Sequence, residues 1–270
     1  MKFPKYLILG LAAAWAAPSD LQAHISYTGR DLGALIVGDP AASNLTQTVS
    51  SSFGWADATD DDWGDSHRGR FFRFTLETSA AVMVTVERNA NGTGAPGTFL
   101  PAFALFAGLA QGSPEALAHD SAALSVASRP AGTEGSFRAL TDWSIGNDPT
   151  YVTAGDPTSG IRFEPRLAPF TYLGHAADGT SANFGLAPGI HGDGHADGFV
   201  TATFHGLAPG NYSLFVGGAN YAGQTTETGP TYPTYGVNVT VQAVPEPSTW
   251  AMLLAGGVLA GAALRRKVRR

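Results

Sequence analysis

Alternation of apolar and polar residues constrains this chain more than any other feature. Phe72, Phe74 and Leu76 fall on one side of an extended segment while Arg73 and Thr75 fall on the other, and Val82, Val84 and Val86 repeat the pattern. A period of two is the signature of a strand with one buried face. Further short strands are predicted at Phe103 to Leu105, Phe199 to Phe204, Tyr212 to Val216 and Tyr235 to Val241, between Gly, Pro and Asn turns. No sustained helical period competes with them. The best helical segment runs from Pro114 to Ser128, with Ser113 as its cap and Pro114 at its first position. Glycine (34) and proline (17) supply 51 of the 270 residues, and only 14% are charged, which suits turns and strands better than long surface helices. The expected fold is mainly β: an antiparallel, jelly-roll-like β-sandwich with a short helical excursion.

The chain has no cysteine. That excludes a disulfide framework, a thiolate nucleophile and Cys-ligated zinc or iron-sulfur centres, and leaves His, Asp, Glu and carbonyl oxygens to hold any metal.

Both ends read as addresses. Lys2 and Lys5 precede an apolar run from Tyr6 to Ala17, and residues 18–22 lead to Ala23, the layout of a secretory signal peptide with its signal helix. Cleavage by signal peptidase is expected between Ala23 and His24, with Ala14, Trp15 and Ala16 as an alternative site. At the other end Val244, Pro245, Glu246, Pro247 and Ser248 precede an apolar stretch from Thr249 to Leu264, followed by Arg265, Arg266, Lys267, Val268, Arg269 and Arg270. These three parts, in this order, resemble the PEP-CTERM sorting signal. The resemblance implies a transient inner-membrane anchor recognised by exosortase, a membrane transpeptidase-like enzyme of Gram-negative bacteria, and release to the cell surface or the exopolysaccharide matrix.

Elementary geometry agrees with that topology. Sixteen residues of helix reach about 24 Å against a hydrocarbon core of about 30 Å, a gap that snorkelling arginines and local thinning close. The basic cluster stays cytoplasmic by the positive-inside rule, which places everything before Val244 on the far side. A permanent single-span anchor is the alternative. The expected organisation is a signal peptide at 1–23, an exported domain at 24–243 with an insertion or separate lobe at about 128–171, and the sorting signal at 244–270 with its transmembrane helix at 249–264.

Without the ends, residues 24–247 hold nine basic residues, all arginine, against 21 acidic ones, a net charge of −12. That argues against nucleic acid as a partner and suits divalent cations or simple solubility outside the cell.

Two segments look alike: Gly174 to Gly189 and Gly194 to Gly210, each opening Gly-His-Ala and closing Gly-Leu-Ala-Pro-Gly. Two copies are too few for a solenoid, and they are read as consecutive turn-strand-turn units. The order of the strands is similar to that of jelly-roll-like modules related to the bacterial pre-peptidase C-terminal domain. The likeness is carried by Arg73 to Val86 as a hairpin, Ala104 to Gly108 followed by Leu117 to Asp120, and Gly206 to Val216 as closing strands. Such modules bind or pack, so this resemblance points away from an enzyme.

Asp57, Asp60, Asp61, Asp62 and Asp65 crowd into nine residues, with Trp55 and Trp63 beside them and Gly64 allowing a tight turn. Carboxylates this dense repel unless a cation intervenes, and calcium takes six to eight oxygens. Exposed, Trp55 and Trp63 would stack on sugar rings; the alternatives are solvated aspartates and tryptophans packed in a core. Asp193, His195, Asp197 and Gly198 mimic the start of a calcium loop, but Phe204 stands where an EF-hand has its glutamate. A lesser metal loop with His191 remains, against a Gly-rich turn whose aspartates cap backbone amides. A mature N-terminal His24 would chelate copper through its amine and imidazole, with His67, His119, His175, His191, His195 or His205 completing a brace like that of lytic polysaccharide monooxygenases. The plainer reading makes His24 the first residue of a strand.

There is no G-x-S-x-G elbow, no H-E-x-x-H helix and no phosphate loop. The reading is an exported, non-catalytic surface or matrix protein without a cofactor. Its alternatives are a calcium-dependent carbohydrate-binding module and a copper-binding oxidase.

Overall fold

A computed structural model of the protein describes residues 27–39, 41–56, 64–65, 68–89, 97–109, 139–146, 167–185, 189–226 and 232–244. The signal peptide and His24, the residues Asp57, Asp60, Asp61, Asp62, Trp63, His67 and His119, the helix expected from Pro114, and the chain after Val244 lie outside these residues. The described strands are β1 (Asp31–Leu35), β2 (Ser43–Ser50), β3 (Arg70–Leu76), β4 (Ala80–Arg88), β5 (Pro101–Ala107), β6 (Trp143–Gly146), β7 (Leu167–Ala177), β8 (Phe199–Leu207), β9 (Gly210–Gly218) and β10 (Thr234–Val244). The one helical element among the described residues is a short 3₁₀ turn, Tyr221–Thr226.

The strands form two antiparallel-rich sheets. One has six strands in the order β1-β3-β9-β5-β7-β6, and the other four in the order β2-β10-β4-β8. The only parallel pair of strands described is β1 with β3. Phe72, Phe74 and Leu76 of β3 and Val82, Val84 and Val86 of β4 are all buried in one cluster, with Phe103, Leu105, Leu214, Val216, Val237, Val239 and Val241. The sheets face each other across this cluster. Each buried Phe, Leu or Val there contributes roughly 1.5–3 kcal/mol by leaving water.

Two readings of the sequence need correction. The segment Arg73 to Val86 is not a hairpin: β3 pairs with β1 and β9, while β4 pairs with β10 and β8. Residues 77–79 carry the chain from one layer to the other. Gly206 to Val216 does the same, because β8 belongs to the four-stranded sheet and β9 to the six-stranded one. Alternation fixes which face of a strand is buried, but not which neighbour completes its ladder. The two look-alike segments are not equivalent units either. The first joins the end of β7 to a run of turns at 181–184, and only the second contains a whole strand, β8. Of the stretch 128–171, residues 143–146 and 167–171 extend the six-stranded sheet as β6 and the start of β7.

A second cluster covers the other face of the six-stranded sheet: Trp55, Phe71, Ala102, Ala104, Phe106, Phe170, Ala177, Phe184 and Phe215 are buried in it. Covered on both faces, β5 reads as a continuous apolar run, Pro101 to Ala107. The candidate site lies on this second face.

Candidate functional site

A bulge in β7 builds the site. β7 pairs with β5 in the register Ala104↔His175, Leu105↔Gly174 and Phe106↔Tyr172, with the shift between Leu105 and Phe106. The extra residue, Leu173, puts Tyr172 and His175 on one face, where an unbroken strand would oppose them. Gly174 permits it: its φ is +152°, and a Cβ there would come within 3.0 Å of Phe204. Tyr172 Oη and His175 Nδ1 are 2.5 Å apart, and the His191 backbone N–H donates to His175 Nε2 at 3.1 Å. With Nε2 accepting, the neutral ring carries its proton on Nδ1 and donates it to Tyr172. Burial, reinforced by His191, lowers the His175 pKa to about 4, and burial pushes the Tyr172 hydroxyl up to about 12. The His175 and His191 rings stack at 5.8 Å, and the Trp55 ring lies tilted at 5.3 Å from His175.

Trp55 arrives on the segment 51–56, which lies against β9. The Trp55 N–H donates to the Gly218 carbonyl at 3.1 Å, and the Asn220 N–H to the Ser52 carbonyl at 2.7 Å. Glycine is required beneath it, since a Cβ on Gly218 would sit 2.4 Å from the Ser52 carbonyl carbon. Trp55 is fully buried and offers no face to a sugar, and its indole Nε1 finds no hydrogen-bond partner among the described residues.

Beyond β7, the fully buried Asp178 joins the two look-alike segments. Its carboxylate accepts the backbone N–H of Asp197 at 3.0 Å and of Gly198 at 2.6 Å. Burial pushes its pKa up to about 6, with Asp193 and Asp197 adding to the rise and the two amide bonds opposing it. Asp193 Oδ1 accepts from Gly179 and His195, and Asp197 Oδ1 from Phe199. The aspartates of this loop thus cap backbone amides. Among the described residues no three His, Asp or Glu side chains converge as a metal site. Of the Asp57 to Asp65 cluster only Asp65 is described, and it pairs with Arg68 at 3.0 Å. His195 and His205 are exposed. Sequence reasoning singled out His175 as a copper partner and His191 as a copper partner or a ligand of the Asp193 to Asp197 loop, and did not mark Tyr172 or Asp178 as site residues. The repeated His-Ala and Asp-Gly steps were the available signal for Asp178.

The end of the described chain is the second functional feature. β10 lies between β2 and β4, paired to its last residues: Val241 opposes Ser43, and Val244 opposes Ala81. Residues 243–267 match the family model of the PEP-CTERM protein-sorting motif. The chain carries a PEP-CTERM sorting motif. The motif marks it for export and for sorting by exosortase to the cell envelope or surface, and it begins inside the last strand of the domain. No helix among the described residues is long and apolar enough to cross a membrane.

No curated protein matches this sequence. Among solved structures, it is similar to CorA of Methylomicrobium album BG8, a surface-associated copper-binding protein important in copper acquisition, with 13% identity and a TM-score of 0.47 over 79% of this chain and 100% of that one. A second is the secreted protein MopE of Methylococcus capsulatus, in which an oxidized tryptophan facilitates copper binding, with 16% identity and a TM-score of 0.43 over 79% and 87%. A third is PliG of Aeromonas hydrophila, a periplasmic inhibitor of g-type lysozyme, with 9% identity and a TM-score of 0.25 over 79% and 98%. At these scores none of the three assigns a function to this chain.

Proposed function

We propose that the protein is a non-catalytic structural or binding component of the cell surface or exopolysaccharide matrix, delivered by exosortase acting at the C-terminal motif. The observation that supports this reading is the junction at residues 243–244, where the sorting motif starts within β10. Processing before Val244 would remove part of a strand held on both sides, so cleavage belongs downstream of it and the β domain leaves intact. The test is expression of the full chain in an exosortase-bearing host, with fractionation of the culture and the intact mass of the product. A product truncated after Val244 in the surface or matrix fraction supports the reading. A full-length chain retained in the inner membrane identifies a permanent anchor instead.

A second reading is favoured by the His175–His191 pair. Imidazoles suit copper and zinc, and ligating histidines typically hold their other ring nitrogen on a second group, as His175 does on Tyr172. An ion seated there would replace the His191 N–H at His175 Nε2. Elemental analysis of protein purified without chelator tests this: stoichiometric copper or zinc that is lost in His175→Ala supports it, and stoichiometric calcium unaffected by that change points to the Asp57 to Asp65 cluster.

A further inference from the structure

Ile36 has the highest exposure of the large apolar side chains described, at 57%. It follows β1 on the rim of a hollow of about 200 Å³, lined also by Leu32, Ala34, Asp39, Ala42 and Ala243. Ala243 is the first residue matched by the sorting motif. An exposed isoleucine, a row of small residues that leave room beside it, and the start of a recognition motif therefore share one end of the domain. From Val244 to Thr249, where the apolar stretch begins, there are five residues, which span at most about 18 Å when fully extended. The tether holds Val244, and with it this end of the domain, within that distance of the membrane.

We propose that this hollow is the surface on which the membrane-embedded sorting enzyme seats the folded domain while it reads the motif, an inference that rests on exosortase sorting as proposed above. Charge favours a protein occupant over lipid. The exported part carries −12 and Asp39 stands on the rim, so an anionic bilayer surface repels this face, whereas an apolar pocket in a protein takes up Ile36 without that cost. The hollow is also continuous with the segment the enzyme must hold.

The test is pulse-chase processing of the full chain in a host that carries an exosortase. Ile36→Ser is expected to slow processing about tenfold, as loss of one buried aliphatic contact from an interface does, while Ile36→Leu restores the rate and thermal melting stays that of wild type. Phe199→Ser is the control. Phe199 is 42% exposed and opposes Glu87, whose other neighbour Asn238 lies five residues up β10 from Ala243. It should process at the wild-type rate. A variant with Pro245→Ala and Pro247→Ala separates the two readings. If it blocks processing while Ile36→Ser does not slow it, sorting stands and the docking surface is overturned. If it is processed normally, the sorting reading fails and this inference with it. Equal slowing by Ile36→Ser and Phe199→Ser also overturns the proposal. So does an unchanged rate joined to Ile36-dependent binding of phosphatidylethanolamine and phosphatidylglycerol vesicles, which assigns the hollow to lipid.

Discussion

Asp178 accepts the backbone N–H of Gly198 at 2.6 Å, across twenty residues of sequence, and this bond ties the loop before β8 to the end of β7. Gly198 adopts φ +84°, and a Cβ there would strike the Arg88 side chain, so the amide comes this close to the carboxylate only as glycine. Asp178→Ala leaves one buried donor, on Gly198, and one part-buried donor, on Asp197, without an acceptor. The expected loss is about 1–3 kcal/mol, the cost of the one buried unsatisfied group, since the part-buried donor can turn to water. Urea denaturation gives the value, and a loss under about 0.5 kcal/mol, the size of an ordinary surface change, would show that the clasp does not hold the loop.

The seat of Trp55 depends on a glycine in the same way. Gly218→Ala drives a methyl group into the Ser52 carbonyl, at 2.4 Å from its carbon and 2.5 Å from its oxygen. Backbone cannot swing aside as a side chain does, so the segment 51–56 must move. The expected destabilisation is about 3 kcal/mol, at the upper end for overpacking. Displacement also withdraws Trp55 from His175, so hydrogen exchange should increase at the Trp55 amide, which now donates to Gly218. Unchanged exchange and stability would contradict this close approach.

Tyr212 joins the turn between β8 and β9 to the main core. Its hydroxyl donates to the Ala208 carbonyl at 2.5 Å, while its ring stacks on Phe74 at 5.1 Å. Tyr212→Phe keeps the stack and removes the bond, for an expected cost of about 1 kcal/mol. Phe74→Ala removes the ring beneath it and should cost about 3–5 kcal/mol. A thermal-melt comparison in which the two variants lose the same stability would refute this division of labour.

What could be read in advance follows the same physics. Phe72, Phe74 and Leu76, with Val82, Val84 and Val86, were legible as inward-facing residues because burial of one face imposes period two. Their sheets were not legible, because inward-facing strands look alike whether they lie side by side or face each other across a core. Tyr172 and His175 were not legible as a pair. Three residues apart on a regular strand they oppose each other, and only the bulge at Leu173 reverses that. The glycine at 174 within a strand was the available hint. The sorting motif needed no fold to be read, since its recognition rests on order and composition along the chain.

His175 and Asp178 respond to pH in opposite senses over nearly the same window. The folded state holds the His175 pKa near 4, below the usual 6.5, so the unfolded chain binds the extra proton and stability rises as pH climbs from about 4 to 6.5. Asp178 is held near 6, above the usual 3.8. Here the folded state binds the extra proton, and stability falls as pH climbs from about 4 to 6, by on the order of 3 kcal/mol. The two slopes offset each other in the wild type. Asp178→Asn should therefore expose a rising profile across this window, and His175→Gln a falling one. The double variant should be flatter than either. Urea midpoints measured between pH 4 and 6.5 give all four profiles. Parallel profiles for the two single variants would mean that burial shifts neither group as the fold requires.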